Sequence, residues 1–195
     1  MTSSPVRPAA AALAALLLLA ACKNDKDAAP AAGTPSATAP DSAPPAAPAG
    51  PASYAATVVA SYPHDPDAFT EGLFFQDGRL YESTGLEGKS DVREVELTTG
   101  AVKRRRALDS AYFGEGIVAL GNTLYQLTWK NGKAFTYDLA TFAPRPQTFA
   151  YAGEGWGMTT DGTSLIPSDG SARLTFRDPK TFAVTRTVEV HDGMN

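Results

Sequence analysis

One cysteine and two histidines stand among 195 residues, and each scarcity closes off a class of protein. A single thiol, Cys22, forms no disulfide within the chain and no multi-cysteine metal site. His64 and His191 are too few, and too unsupported by neighbouring ligands, to argue for a metal site, so they read as surface or turn residues. Excess charge is also missing. A formal net charge of −4 makes no electrostatic case for nucleic acid. The one basic run, Lys103-Arg104-Arg105-Arg106, follows a turn on a predicted strand and reads as a solvated edge. Outside the N-terminal stretch no long segment carries a helical period, and turn residues recur at the short spacing of successive strands. The folded part is therefore expected to be all-β.

The N-terminus is organised for export. Arg7 precedes an apolar run from Ala9 to Ala21, too short for a comfortable membrane span and ending in small residues, as signal peptides do. Leu19-Ala20-Ala21-Cys22 resembles the lipobox of bacterial lipoproteins, in which the cysteine is acylated and becomes the new N-terminus. Residues 1–21 are then a lipoprotein signal peptide, Cys22 is the lipidation site, and residues 22–52, rich in Ala, Pro, Ser and Thr, form a tether with almost nothing to bury. Localisation follows as an exported lipoprotein on the membrane, facing the periplasm or the cell surface, with Lys23 a weak pointer to the outer membrane. An ordinary secretory signal with an incidental Cys22 is the competing reading. Residues 53–195 remain for one folded domain.

That domain repeats itself. Phe69-Thr70-Glu71-Gly72-Leu73, Phe113-Gly114-Glu115-Gly116-Ile117 and Gly153-Glu154-Gly155-Trp156-Gly157 open three units, with Glu71, Glu115 and Glu154 aligned. Each opening leads to a turn and a short strand at Asp77-Gly78, Gly121-Asn122 and Asp161-Gly162, where Gly and Asn tolerate the positive φ of tight hairpins. Each unit closes on a second turn near Thr99-Gly100, Thr141-Phe142 and Thr181-Phe182. Four short strands in roughly 40 residues is the arithmetic of a β-propeller blade. A β-sandwich also has many short strands but needs no fixed period. The expected fold is a β-propeller, truncated after about three and a half blades, because the chain ends soon after the strand Val184 to Val190 with no closing strand.

In a propeller the first strands converge on one mouth of a central channel. The repeated openings would bring Phe69, Glu71, Phe113, Glu115 and Trp156, with Trp129 from a neighbouring strand, around an aromatic pocket containing carboxylates. Burial among rings raises a carboxyl pKa and suits a glutamate for proton transfer near neutral pH. Paired acids also occur in glycosidases, a reading that needs a measured separation. Trp129 and Trp156 read equally as core, and Glu154 as a hairpin residue capping backbone N–H groups.

Taken together, Ala68-Phe69-Thr70-Glu71-Gly72-Leu73, Leu80-Tyr81-Glu82-Ser83-Thr84-Gly85-Leu86, Phe113-Gly114-Glu115-Gly116, Gln126-Leu127-Thr128-Trp129, Gly153-Glu154-Gly155-Trp156-Gly157 and Ser168-Asp169-Gly170-Ser171 resemble the plant and bacterial type of glutaminyl-peptide cyclotransferase. The resemblance implies a five-bladed propeller enzyme that converts an N-terminal glutamine of peptides or proteins into pyroglutamate with loss of ammonia. It implies Glu115 as the proton-transferring residue and Phe69, Glu71, Phe113, Trp129 and Trp156 as the substrate-binding wall. Position 71 is Glu where the family commonly has Gln, and the family's later Leu-Asn-Glu-Leu-Glu motif is absent. The implied chemistry is zinc-free and needs no cofactor; the resemblance allows a structural calcium ion but places no ligands. A non-catalytic propeller used as a binding scaffold, or an inactive fragment, are the alternatives.

Overall fold

The computed structural model describes residues 52–191. The expected signal, the expected lipidation site Cys22 and the tether up to Pro51 lie outside the described residues. Twelve strands form three four-stranded antiparallel sheets. The first sheet is β1 (Thr70–Gln76), β2 (Arg79–Thr84), β3 (Asp91–Val95) and β4 (Val102–Ala107). The second is β5 (Gly114–Leu120), β6 (Thr123–Thr128), β7 (Lys133–Asp138) and β8 (Pro144–Ala150). The third is β9 (Met158–Thr160), β10 (Leu165–Pro167), β11 (Arg173–Arg177) and β12 (Val184–Glu189). Spatial order equals chain order in each sheet, so every connection within a sheet is a hairpin. β1 lies beside β5, and β5 beside β9. No partial fourth sheet accompanies these three among the described residues. Residues 52–62 are exposed and in no strand or helix; their Tyr54, Val58 and Val59 favour a strand, but a strand needs a partner for its backbone groups.

Two apolar layers hold the sheets together. Tyr81, Val92, Ile117, Leu124, Tyr137 and Phe142 join the first sheet to the second. Val118, Tyr125, Leu127, Ala134, Phe149, Leu165 and Phe182 join the second to the third. Alternation explains the division: successive residues of β5, such as Ile117 and Val118, point to opposite faces, and each face meets a different sheet. Leu124 and Leu165 are fully buried, each contributing about 1.5–3 kcal/mol of transfer free energy.

Most buried polar side chains are matched; among the described residues Oε2 of Glu82 and Nε of Arg145 are buried without a partner. Gln126, fully buried, donates from Nε2 to Ser83 Oγ across the sheets at 2.9 Å and accepts from the Tyr137 hydroxyl at 2.8 Å. Arg93 grips Asp91 with two bonds of 2.7 Å and donates to Asp65 at 2.9 Å. Because a buried charge is tolerated only when paired, this network ties the segment before β1 to the first sheet. His64 contributes to the same tie, with its Nε2 2.9 Å from Oε1 of the buried Glu82, so it is more than the surface residue expected from sequence. The basic run does lie on an edge strand, β4. One member looks inward: Arg104 bonds Glu94 at 2.7 Å and lies 4.1 Å above the Phe142 ring centroid, bridging to the second sheet.

The closing turns repeat a distinct device. Asp138 accepts from the backbone of Ala140 and Thr141, Asp178 does the same for Lys180 and Thr181, and the chain then enters the left-handed region at Phe142 (φ 58°) and Phe182 (φ 61°). Gly100 (φ 71°) occupies the same place in the first sheet, where a Cβ would sit 2.5 Å from the Pro63 carbonyl oxygen. Only there does the left-handed turn require glycine for space. Phe142 and Phe182 accept the strain of roughly 1–2 kcal/mol because each ring, 3% exposed, fills an inter-sheet layer. Phe142→Gly relieves the strain but removes the ring, which is worth about 3–5 kcal/mol. We expect a net loss of about 2 kcal/mol, measured by urea unfolding.

Candidate active site

The two Glu-Gly pairs sit on β-bulges. In β1 the pairing steps from Thr70↔Thr84 to Gly72↔Ser83, leaving Glu71 as the extra residue. In β5 it steps from Gly114↔Thr128 to Ile117↔Gln126, so Glu115 and Gly116 share the interruption. A bulge re-aims a side chain that regular pairing would place in the ladder. The glycines that follow let the first strands approach. A Cβ at Gly72 would lie 2.7 Å from Ile117 N. One at Gly116 would collide with the Trp156 carbonyl oxygen, which already accepts the Gly116 N–H at 2.8 Å.

The third opening is out of step with the other two. Gln126↔Ile117 in the second sheet corresponds to Pro167↔Met158 in the third. Two residues before these marks stand Glu115 and Trp156, so Trp156 occupies the place that letter matching gave to Glu154. Glu154 does not cap backbone N–H groups either. Its Oε2 accepts the indole N–H of Trp129 at 2.8 Å and of Trp156 at 3.0 Å. Both tryptophans are thus oriented by one carboxylate, and neither is core: Trp129 is 36% and Trp156 46% exposed.

The remaining aromatics form a chain. Phe69 meets Phe113 edge-on at 6.0 Å between centroids, and Phe113 meets Trp129 at 5.6 Å. Gly85 makes room for the Phe113 ring; a Cβ there would also lie 3.1 Å from Glu71 Cγ, which places Glu71 beside that ring. Lys130 Nζ covers one face of Trp129, 3.7 Å from the centroid. Gly170 packs against the Trp156 ring, where a Cβ would stand 2.5 Å from it. Glu154, Lys130, Gly85 and Gly170 all shape the pocket. Of these, the sequence singled out only Glu154, and for a different task.

Electrostatics separate the three carboxyl groups. Glu115, 7% exposed, is pushed up to about 8, first by burial and then by the charges of Glu71 and Glu154. Glu71 is raised above the ordinary range by burial. Glu154 is lowered by the two indole N–H donors and stays ionised. The site therefore holds a proton on Glu115 at neutral pH beside a fixed negative charge, an arrangement suited to giving and taking one proton.

A family model for glutamine cyclotransferase matches residues 28–195. The chain belongs to the glutamine cyclotransferase family. A curated glutaminyl-peptide cyclotransferase of Arabidopsis thaliana is 47% identical over 129 residues, covering 66% of this chain and 40% of that protein. The crystal structure of Myxococcus xanthus glutaminyl cyclase matches with a TM-score of 0.61 at 37% identity, over 67% of this chain and 54% of that one. The Neurospora crassa Pan2 WD40 domain, at 9% identity and a TM-score of 0.51 over 62% of this chain and 36% of that one, shares the fold alone. This member of the glutamine cyclotransferase family thus spans 40% of the curated relative and 54% of the solved one.

In the second sheet of this family member, Glu115 keeps its proton in the folded state between the unfolded value of 4.5 and about 8. Its stabilising contribution is full below about 4.5 and is lost as pH rises through that window. Glu71→Gln removes one of the two repelling charges but not the burial. We expect Glu115 then to titrate below its present value yet above 4.5, and the loss of stability, which still begins near 4.5, to level off at a lower pH with a smaller total. Carboxyl carbon NMR across pH 4–9, a window chosen to span roughly these values, checks the first expectation and urea unfolding at the same pH values the second.

Proposed function

We propose that the chain is a glutaminyl-peptide cyclotransferase acting on the N-terminal glutamine of peptides or proteins. The observation that carries this reading is Glu115: a buried glutamate re-aimed by a bulge, raised to about 8, beside an aromatic wall, in a chain of this family. In the reaction the α-amino nitrogen attacks the side-chain amide carbon. The new N–C bond closes the five-membered lactam, the bond to the amide nitrogen breaks, and ammonia leaves. One proton must pass from the attacking amine to the departing nitrogen. Glu115 is assigned that transfer, donating to the amide nitrogen and recovering a proton from the amine.

Phe69, Phe113, Trp129 and Trp156 are assigned to hold the glutamine side chain folded back on its own amine, which replaces a search in solution by a set geometry. Glu71 is assigned to the α-amino end, where its charge attracts the incoming ammonium; that group gives its extra proton to solvent before it attacks, and Glu115 handles the one proton passed on to the leaving nitrogen. Trp129 and Trp156 are held in place for this by Glu154. Among the described residues no group of three or more His, Cys, Asp or Glu side chains is arranged to hold a metal ion. The reading asks for no cofactor, and it assigns no ligands to calcium.

The wider reading has three parts. The three sheets are consecutive blades of a five-bladed propeller, supported by the 0.61 TM-score to the Myxococcus enzyme. Residues 1–21 direct export, and acylated Cys22 anchors the protein to the membrane through the 22–52 tether, supported by the lipobox-like Leu19-Ala20-Ala21-Cys22. The partners are accordingly peptide or protein N-termini on the exported side.

Glu115→Gln tests the assignment. A neutral isostere replaces a side chain that is itself mostly protonated at neutral pH, so the fold should persist with an unchanged circular dichroism spectrum. We expect ammonia release from a glutamine-initiated peptide, followed by mass spectrometry, to fall by about 10²- to 10⁴-fold. Undiminished release would remove Glu115 from its role. Release no faster than the spontaneous rate from the folded, unaltered chain would favour the binding-scaffold alternative.

A further inference from the structure

Between the second and third sheets lies a cavity of about 30 Å³, lined in part by Leu127, Tyr151, Gly155, Ser168 and Arg177. A single water needs roughly 10–15 Å³ of such space, so there is room for one small polar group and not for a ring or a whole side chain. Glu154 also lines this cavity, while its carboxylate holds the two indoles of the aromatic pocket. The cavity and the pocket share a wall.

Arg177 is the unusual group in it. Its Nε donates to Thr175 Oγ1 at 3.2 Å and its Nη1 to the Phe182 carbonyl at 3.1 Å. Among the described residues, Nη2 has no acceptor and no carboxylate stands within the 4.0 Å of an ion pair. Burial lowers its affinity for its proton, and Tyr151, the charge of Asp169 and the Phe182 ring 4.9 Å below the guanidinium offset that only in part.

Comparison with the second sheet explains the vacancy. Leu124 pairs with Tyr137 and Leu165 with Arg177, so Arg177 stands where Tyr137 stands. Tyr137 gives its hydroxyl proton to Gln126; at the place of Gln126 the third sheet has Pro167, whose side chain accepts nothing. The repeat thus exchanges a satisfied phenol for a guanidinium and removes the acceptor at the same step.

The other charged groups around the cavity are already engaged. Arg173 pairs with Glu189 at 3.1 Å. Asp169 accepts from the Ser171 N–H at 3.0 Å and its hydroxyl at 2.6 Å, and Glu154 accepts from the two indoles. Arg173 is largely exposed beyond that pair, whereas the partly buried Arg177 keeps Nη2 without an acceptor.

We propose that this cavity is a subsite for a carboxylate of the peptide substrate, carried downstream of its N-terminal residue and bound by the Arg177 guanidinium. The ligand class is an acidic side chain within the first few residues. This rests on the reading of the adjoining pocket as a cyclotransferase site. A guanidinium offers a carboxylate charge-assisted bonds that a neutral amide cannot match, so the chain should favour glutamine-initiated peptides with an early acidic residue.

The test uses Gln-Glu-Ala amide and Gln-Ala-Glu amide, each beside its counterpart with glutamine in place of the glutamate. Dissociation constants come from quenching of tryptophan fluorescence in the Glu115→Gln chain, where the peptide is not consumed; the protein's two tryptophans, Trp129 and Trp156, both report on the pocket. Ammonia release is followed in parallel with the unaltered chain. We expect at least one acidic peptide to bind about tenfold more tightly than its neutral partner. Adding Arg177→Gln should abolish that ratio, and Arg177→Lys should restore part of it. Equal constants for both pairs, or a ratio that survives Arg177→Gln, would overturn the subsite, and ammonia release from the same peptides would leave the cyclotransferase reading standing. An Arg177-dependent preference without ammonia release from any peptide would uphold the subsite and sink that reading instead. The comparison of peptides needs no substitution at Arg177, so a failure of either variant to fold does not remove the test.

Discussion

The site depends on how closely three backbone strands approach one another. β1, β5 and β9 lie side by side, and at the crossing points there is space for hydrogen but not for carbon: beyond Gly72 stands the backbone of Gly116 and Ile117, and beyond Gly116 that of Trp156 and Met158. Glycine at these positions is a steric requirement. The residue before each glycine cannot continue the regular ladder, and the bulge that results turns Glu71 and Glu115 out of the pairing. Packing and chemistry are therefore one feature. The geometry that lets the sheets sit together also carries carboxyl groups to the mouth formed by their first strands.

That origin accounts for the electrostatics. Side chains lifted from neighbouring strands at equivalent places must lie near one another, so two carboxyl groups share a desolvated space. Burial comes first among the causes that raise Glu115, and the charges of Glu71 and Glu154 follow. Glu154 escapes the same fate because two indole N–H groups face it. One acid remains charged and orients tryptophans while another holds a proton, and the difference lies in burial and in hydrogen-bond donors rather than in residue type. A cationic amine entering beside Glu71 would reverse part of the repulsion and ease proton release from Glu115.

Much of this was legible in the sequence, for identifiable reasons. Paired turn residues such as Asp77-Gly78 and the recurring Asp138 and Asp178 turns are local chemistry, written in a few adjacent letters, and they gave three units of four strands. Glu115 and its aromatic company stand out as candidates in the sequence because the opening motif repeats. What failed was register. Glu154 matched Glu115 by its flanking glycines, but equivalence is decided by which residues pair across strands, and pairing puts Trp156 in that place. The roles of Gly85 and Gly170 were not legible either, since what they accommodate is a ring brought in from another sheet. Phe142 and Phe182 read as ordinary aromatics after a turn; that they hold a left-handed backbone while filling the core shows only in three dimensions.

Once register is correct, the repeats become a way of separating structural demands from functional ones. Leu80, Leu124 and Leu165 occupy one place, and in the second and third sheets that leucine is fully buried against the neighbouring sheet. Positions 71, 115 and 156 occupy another and hold Glu, Glu and Trp, so packing does not dictate them. Places 126 and 137 hold Gln and Tyr in the second sheet, where they satisfy each other, and their third-sheet equivalents hold Pro and Arg, which do not. A repeat that only had to fold would be expected to keep the self-satisfied pair, since a partly buried cation without a close carboxylate costs stability. The departure falls behind the wall that Glu154 shares with the aromatic pocket. Packing alone gives no reason for the exchange at that place, and a ligand for the guanidinium would supply one.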